Sequence, residues 1–293
     1  MSAKVGLSIA AKGQEQGPAF DRGMPTVTVV IPALNEVQNL PHVLPRIPDW
    51  VHEVLLVDGH STDGTVEVAR KLLPGIRIVT QEGQGKGAAL RSGFAAASGE
   101  IIVMLDADGS TDPGEIPAFV GALLAGADFA KGSRFLQGGG TADMPRYRQL
   151  GNWSFVRMVR MLFGGSYSDL CYGYNAFWRR VLPALYLDGD GFEIETMMNV
   201  RALRAGLRIH EVPSYESLRI YGTGRLRAIP DGWRVVKTIL REWLVGRRES
   251  MAARRQRGAS PGSPPVWQLD LWAEASYKGR QADEGTIEMG AHD

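Results

Sequence analysis

Two carboxylates one residue apart, Asp106 and Asp108, are the side chains whose spacing most directly indicates chemistry. They follow residues 101–105, an apolar run that predicts a buried strand. Residues two apart in a strand point the same way, so their charges repel each other unless a cation lies between them. Mg²⁺ and Mn²⁺ prefer oxygen ligands and often bridge carboxylates to substrate phosphates. The pair therefore predicts a divalent metal site, and the alternative is a solvated aspartate-rich turn.

Three arginines are candidates for binding phosphate groups. Arg134 ends the strand-like run F-A-K-G-S-R, and Arg219 and Arg225 lie in the stretch R-I-Y-G-T-G-R. A guanidinium group binds phosphate oxygens with a fork of donors, and the glycines of the second stretch would let it close over a ligand. For each arginine taken alone, the alternative is a solvated surface charge.

Short apolar runs that alternate with helix-like segments must position these side chains. Strands are predicted at residues 27–31, 54–57, 76–79 and 101–105. Helices are predicted at residues 36–47 and 85–97, and from a cap at Ser61 or Thr62 to residue 73. This alternation indicates an α/β fold with a mostly parallel sheet flanked by helices, in which ligands bind beyond the carboxyl ends of the strands. Polar residues follow three strands, at 32–36, 58–61 and 106–108, so we expect them to meet at one edge.

Composition excludes several classes of protein. The chain has 293 residues, of which 44% are hydrophobic, so it can bury the core of one large domain or two smaller ones. Its formal net charge of +1 argues against a general nucleic-acid binder. Cys171 is the only cysteine, which excludes a disulfide framework and a cysteine metal site. No apolar run has the length needed to span a bilayer.

Four regions are predicted along the chain: a disordered leader at 1–23, a catalytic domain at 24–227, an amphipathic helix at 228–246 and a polar, disordered tail at 247–293. The apolar stripe of the helix consists of Ile229, Trp233, Val236, Leu240 and Trp243. Arginines follow it from Arg247 onward, which favours peripheral contact with an anionic membrane. The alternative is that the stripe packs on the catalytic domain. We expect a cytoplasmic protein, with the inner face of the membrane as its peripheral site.

Several motifs in order resemble family 2 glycosyltransferases of the GT-A (Rossmann-like) fold. Within that family they resemble the dolichyl- or polyprenyl-phosphate mannosyl- and glucosyltransferase branch, over about residues 26–245. The motifs are V-V-I-P-A-L-N-E, V-D-G-H-S-T-D-G-T, G-Q-G-K-G-A-A-L, M-L-D-A-D, G-S-R, S-D-L-C-Y-G-Y and V-P-S-Y-E-S-L-R-I-Y-G-T-G-R. Each motif alone is a weak signal, but their shared order and spacing make a strong one.

The resemblance implies roles for individual residues. Asp108 would be the principal metal ligand and Asp106 would assist it, with Mg²⁺ or Mn²⁺ as the cofactor. Glu195 corresponds to an acidic position near the acceptor. The residues implied in binding the nucleotide sugar and its phosphates are Pro32, Leu34, Glu36, Val57, Asp58, Asp106, Ala107, Arg134, Arg219 and Arg225.

Four positions depart from the pattern of the branch. Gly59 replaces an aspartate that binds the base, and Leu34 replaces a common tyrosine. Arg225 replaces a lysine, and Asn175 replaces an arginine. The choice between UDP and GDP therefore stays open, and part of the acceptor site differs from that of the branch.

The implied reaction is metal-dependent, inverting transfer of a hexose from a nucleoside-diphosphate sugar to a polyprenyl phosphate. A phosphate acceptor is already anionic, whereas a hydroxyl acceptor would need a base, for which Glu195 is the candidate. The alternatives are the same chemistry on a soluble hydroxyl acceptor and a non-catalytic protein that binds nucleotide sugars. A sugar-nucleotide pyrophosphorylase would carry a basic, glycine-rich loop after its first strand, where this chain has P-A-L-N-E. Homodimer formation is left open.

Overall fold

The computed structural model describes residues 23–142, 144–224 and 226–257, with side chains up to residue 249. In these ranges the strands are β1 (Val27–Ala33), β2 (Glu53–Asp58), β3 (Arg77–Thr80), β4 (Ile101–Met104), β5 (Phe129–Ser133), β6 (Gly140–Thr141), β7 (Asn175–Trp178), β8 (Ile209–Pro213) and β9 (Tyr215–Glu216). The α-helices are α1 (Leu40–Val43), α2 (Thr65–Leu72), α3 (Lys86–Ala96), α4 (Ile116–Leu124), α5 (Arg146–Phe163), α6 (Leu182–Leu185), α7 (Glu193–Arg204) and α8 (Ala228–Arg257). The predicted leader up to residue 22, Arg225 and the predicted tail beyond residue 257 lie outside the described residues.

The described part of the chain forms one seven-stranded sheet in the order β3-β2-β1-β4-β7-β5-β8. Strands β1 to β4 are mutually parallel, and β8 is parallel to β5. Only β7 runs antiparallel to its neighbours within this sheet, pairing with β4 and β5. A separate pair, β6 and β9, lies outside it. The predicted α/β class, a mostly parallel sheet flanked by helices, is confirmed.

The apolar strands separate two hydrophobic cores. Val29 and Ile31 of β1 belong to the core on one face of the sheet, and Val30 between them belongs to the core on the other face. This follows from the alternation of side chains along a strand. Because both faces are covered, the central strands β1, β2 and β4 are mostly apolar, as in other parallel sheets.

Two helices differ from their predicted bounds. Residues 36–47 form only the short α1 and a 3-10 turn at Leu44–Arg46. Pro45 lacks the N–H group that a continuing α-helix would need there. Helix α2 begins after Gly64, whose φ of 90° lies in the left-handed region, so neither Ser61 nor Thr62 caps it. The Ser61 hydroxyl instead accepts a hydrogen bond from the Asn35 N–H at 2.9 Å.

Helix α8 is longer than predicted, because it continues through Arg257 instead of ending at residue 246. It packs on the preceding part of the fold with Val235 and Ile239, which are buried against α5 and α7. The predicted apolar stripe is not this packing face, since Ile229, Trp233 and Leu240 are exposed. No described helix is both long enough and apolar enough to cross a membrane.

Buried ion pairs fix α8 to α7. Glu242 of α8 is only 1% exposed. It accepts a hydrogen bond from Arg201 at 2.7 Å and also pairs with Arg204. Asp188 binds Arg201 at 2.8 Å and Arg241 at 2.6 Å, which adds a second link between the two helices. The side of α8 that carries Val235, Ile239 and Glu242 therefore lies against the domain, and the apolar stripe faces outward.

A second buried ion pair encloses Arg134. Its side chain and that of Asp169 are 2% and 0% exposed, and two hydrogen bonds of 2.7 and 3.0 Å join them. Arg134 also binds Glu216 of β9 at 3.0 Å. The sequence predicted a guanidinium available to phosphates, but this one is enclosed by protein carboxylates. Arg134 therefore connects the end of β5 to the segment before β7, which carries Asp169, and to β9.

We predict that Glu242→Ala lowers the free energy of unfolding by about 3–5 kcal/mol, because it removes the buried carboxylate that pairs with both Arg201 and Arg204. Glu249→Ala is the matched control. Glu249 lies on the same helix and binds Arg204 at 2.5 Å, but its side chain is 57% exposed. Its loss should change the stability by no more than about 1 kcal/mol. Urea denaturation of both variants measures the difference, and equal effects would contradict a buried anchor.

The Arg134–Asp169 pair also predicts a pH dependence of stability. Burial alone would raise the pKa of Asp169, but Arg134 outweighs it and holds that pKa below its usual value. The stabilisation is therefore present above the unfolded pKa of about 3.9 and is lost as pH falls toward the folded pKa. Denaturation at pH values from about 5 to 3 should show a smaller loss of stability in Asp169→Asn than in the unmodified protein. Equal losses would show that the pair contributes nothing to acid sensitivity.

Candidate active site

The loops after β1 and β2 are joined at the carboxyl edge of the sheet. Asn35 and His60 both adopt left-handed backbone conformations there, with φ of 57° and 66°. The Thr62 N–H donates to Asn35 Oδ1 at 2.9 Å, and the Glu36 N–H donates to Thr65 Oγ1 at 2.9 Å. Such strained residues persist where surrounding contacts hold them, often at functional sites. The two polar clusters predicted to meet at this edge are therefore in contact.

The predicted nucleotide residues of β1 and β2 are adjacent. Pro32 pairs with Val57 in the register of the two strands. Beside them, a Cβ atom added to Gly59 would lie 3.2 Å from both Gln81 Oε1 and Leu34 Cβ. Gly59 and Leu34, two of the positions that depart from the pattern of the branch, are therefore adjacent, and the Gln81 side chain lies next to Gly59. The carboxylate of Asp58 accepts a hydrogen bond from the Ser61 N–H at 3.2 Å.

Lys86 connects two of the predicted catalytic carboxylates. Its Nζ lies 2.7 Å from Asp106 Oδ1 and 2.7 Å from Glu195 Oε1. Burial alone would lower the pKa of Lys86, but the two carboxylates raise it well above its usual value. Gly173 allows this arrangement, because a Cβ atom there would lie 2.6 Å from Glu195 Oε1 and 2.9 Å from Lys86 Nζ. Sequence reasoning did not identify Lys86, although the G-Q-G-K-G-A-A-L motif contains it.

Arg219 connects two further carboxylates. Its Nη1 lies 3.0 Å from Asp108 Oδ2, and its Nη2 pairs with Glu36. The other oxygen of Asp108 accepts hydrogen bonds from the Ser110 hydroxyl at 2.7 Å and the Ser110 N–H at 3.0 Å. The structure therefore brings Arg219 to the predicted site, where it binds two carboxylates.

The segment around Arg219 is fastened over the strand ends by main-chain contacts. The Ser217 N–H donates to the Ser110 carbonyl at 2.8 Å, and the Tyr221 N–H donates to Asn39 Oδ1 at 2.9 Å. Ala107, between the two aspartates, is buried in the core, so a ligand contact there would fall to its backbone. Asn175 is buried in β7 and donates to the Gly173 carbonyl at 3.3 Å.

The charges of this site fit a divalent cation. Two basic groups, Lys86 and Arg219, face four carboxylates, those of Glu36, Asp106, Asp108 and Glu195. Two formal negative charges therefore remain uncompensated. Among the described residues, no three His, Cys, Asp or Glu side chains are grouped so that they alone could hold a metal. Both facts agree with Mg²⁺ or Mn²⁺ held by one or two carboxylates together with substrate phosphates.

Comparisons with known proteins identify the family. The sequence profile described as Glycosyl transferase family 2 matches residues 28–185, more than half of the chain. Undecaprenyl-phosphate mannosyltransferase of Micrococcus luteus is 33% identical over 242 residues, which cover 78% of this chain and 98% of that protein. Polyprenol monophosphomannose synthase of Mycolicibacterium smegmatis is 31% identical over 228 residues, which cover 73% of this chain and 86% of that protein.

A solved structure shares the fold. Glucosyl-3-phosphoglycerate synthase from Mycobacterium tuberculosis, in complex with Mn²⁺, uridine-diphosphate-glucose and phosphoglyceric acid, matches with a TM-score of 0.61 and 28% identity. The match covers 75% of this chain and 80% of that chain. Another structure of the same synthase contains Mg²⁺ and uridine diphosphate. The chain therefore belongs to glycosyl transferase family 2, has the GT-A fold and is a glycosyltransferase.

Proposed function

We propose that this enzyme transfers a hexose from a nucleoside-diphosphate sugar to a polyprenyl phosphate, with inversion at the anomeric carbon. The observation that carries the proposal is the set of four carboxylates and two basic groups at the carboxyl edge of β1 and β4. Its uncompensated charge suits a divalent cation and a diphosphate. The two relatives are named for transfer to undecaprenyl phosphate and for synthesis of polyprenol monophosphomannose.

On the donor side, Asp108 and Asp106 would hold Mg²⁺ or Mn²⁺. That ion would neutralise the diphosphate and make it a better leaving group. Pro32, Val57 and Asp58 would lie beside the base and ribose. Arg219 would exchange its carboxylate partners for diphosphate oxygens, to which its guanidinium can donate two parallel hydrogen bonds.

On the acceptor side, a polyprenyl phosphate offers an oxygen that is anionic near neutral pH. That oxygen can attack the anomeric carbon without giving up a proton, so no general base is required. Glu195 would then position Lys86, and through it Asp106. The Lys86 Nζ lies 2.7 Å from Glu195 Oε1 and 2.7 Å from Asp106 Oδ1. Arg225 would hold a phosphate of the donor or of the acceptor, as the resemblance implies.

A soluble acceptor is the second candidate, and one observation favours it. The solved structure with the same fold contains phosphoglyceric acid beside the sugar nucleotide. A hydroxyl acceptor of that kind must lose a proton during transfer. Glu195, buried beside the metal-site aspartates, would then be the base.

We predict that Asp108→Asn lowers the transfer rate at least about a hundredfold, comparable to the loss of one transition-state electrostatic contact. Asp112→Asn is the matched control, because Asp112 lies in the same loop and binds Arg46 at the surface. The assay measures transfer of labelled hexose from UDP- and GDP-sugars to a short-chain polyprenyl phosphate, with Mn²⁺ or with a chelator. A rate that neither Asp108→Asn nor the chelator reduces would refute the metal-dependent mechanism.

Glu195→Gln separates the two acceptor classes. With a polyprenyl phosphate we expect a loss of less than about tenfold, because no proton is transferred. With a hydroxyl acceptor, loss of a general base should lower the rate about 10²–10⁴-fold. Parallel assays with short-chain polyprenyl phosphate and phosphoglyceric acid make the comparison. A severe loss with the phosphate acceptor would contradict the role proposed here for Glu195.

A further inference from the structure

The side of α8 that faces away from the catalytic domain carries large apolar side chains. Ile229 is 86% exposed and Trp233 is 58% exposed, and Leu240 and Leu244 are exposed on the same helix. Their spacings of four, seven and four residues are close to whole helical turns, so they form one stripe along the helix. Isolated exposed apolar residues are common, but a contiguous stripe marks an interaction site.

The charges of α8 are segregated. Its acidic residues Asp231 and Glu242 are buried, so Glu249 is the one exposed acid among the described side chains of the helix. The exposed basic residues are Arg234, Lys237, Arg241, Arg247 and Arg248. Lys237 lies 5.7 Å from the centre of the Trp233 ring, and Arg247 lies 4.7 Å from that of Trp243. The cationic groups therefore border the apolar stripe.

Helix α5 presents the same combination of side chains. Tyr147, Leu150, Trp153 and Met161 are exposed on it, and Arg157 lies 5.9 Å from the Trp153 ring centre. The sequence of α5 contains no acidic residue. Helices α5 and α8 pack together through the apolar cluster that contains Val159, Val235 and Ile239. Two neighbouring helices thus expose apolar and basic groups with almost no negative charge.

We propose that the exposed sides of α5 and α8 form a docking surface for an anionic lipid bilayer. The proposal rests on the proposed function, which places the acceptor in a bilayer. Apolar side chains would enter the headgroup boundary, while the bordering arginines and lysines would bind anionic headgroups. A second copy of this chain fits less well, because a two-fold contact through this surface would bring its basic residues against one another.

The ion pairs that hold α8 give this surface a link to the active site. Glu242 fixes α8 to Arg201 of α7, and Glu195 lies in the first turn of α7. Lys86 in turn joins Glu195 to Asp106. A bilayer bound by α8 would therefore stand in a fixed orientation to the acceptor side of the site.

Vesicle flotation of the full chain tests the proposal, with phosphatidylcholine vesicles and with vesicles that also contain phosphatidylglycerol. We expect binding to the anionic vesicles at low salt, weaker binding at high salt and little binding to phosphatidylcholine alone. Trp233→Ser with Leu240→Ser should abolish binding. Leu124→Ser, an exposed residue of α4, is the matched control and should bind normally. Lys237→Glu should weaken binding by more than about fivefold, since a single basic residue near an anionic surface accounts for about that factor.

Two further measurements separate this proposal from the proposed function. Transfer to a short-chain polyprenyl phosphate without vesicles should be unchanged in the Trp233/Leu240 variant, so failure of the docking surface leaves the catalytic assay intact. Thermal unfolding verifies that the variant is folded. The proposal is overturned if the unmodified chain does not bind anionic vesicles, or if the Trp233/Leu240 variant binds them normally. It is also overturned if the unmodified chain does not bind vesicles and light scattering shows that it forms a dimer, which the Trp233/Leu240 variant does not form.

Discussion

Mutual repulsion among four carboxylates is the constraint on which this structure depends. These are Glu36, Asp106, Asp108 and Glu195, which come from three segments and meet at one sheet edge. Such charges can lie together only if cations lie among them. Lys86 and Arg219 fill that role, and each binds two carboxylates. The positions of α3, of the segment around Arg219 and of the first turn of α7 follow from these contacts.

Charge pairing also organises the periphery of the domain. The buried pair of Glu242 and Arg201 holds the side of α8 that also carries Val235 and Ile239 inward, which leaves an apolar stripe outside. Arg134 and Asp169 connect the end of β5 to the segment that precedes β7. In each case a buried charge is compensated by a partner far away in the sequence. The fold is therefore held by specific long-range pairs as well as by its two apolar cores.

The sheet, its carboxyl edge and most of the candidate site were predictable from the sequence. Apolar runs defined β1, β2 and β4, and the motifs at their ends located Asp108, Glu36 and Arg219. Lys86 was missed because its partners come from β4 and α7, and no local pattern connects them to the glycine-rich motif. The pairing of Arg134 across the fold could not be predicted from local sequence either. Arg134 was expected to bind phosphate, and in the structure the carboxylates of Asp169 and Glu216 enclose it.

The position of Arg219 has a consequence for turnover. Asp108 and Glu36 both hold its guanidinium, so under the proposed function these carboxylates would compete with the diphosphate of the donor for it. Each donor molecule would have to break these two pairs, which would lower its apparent affinity. The same pairs can re-form once the sugar has left, when the remaining nucleoside diphosphate has fewer contacts. Return of the arginine to its carboxylates would then help to expel the spent nucleotide, a step that often limits the rate of an enzyme.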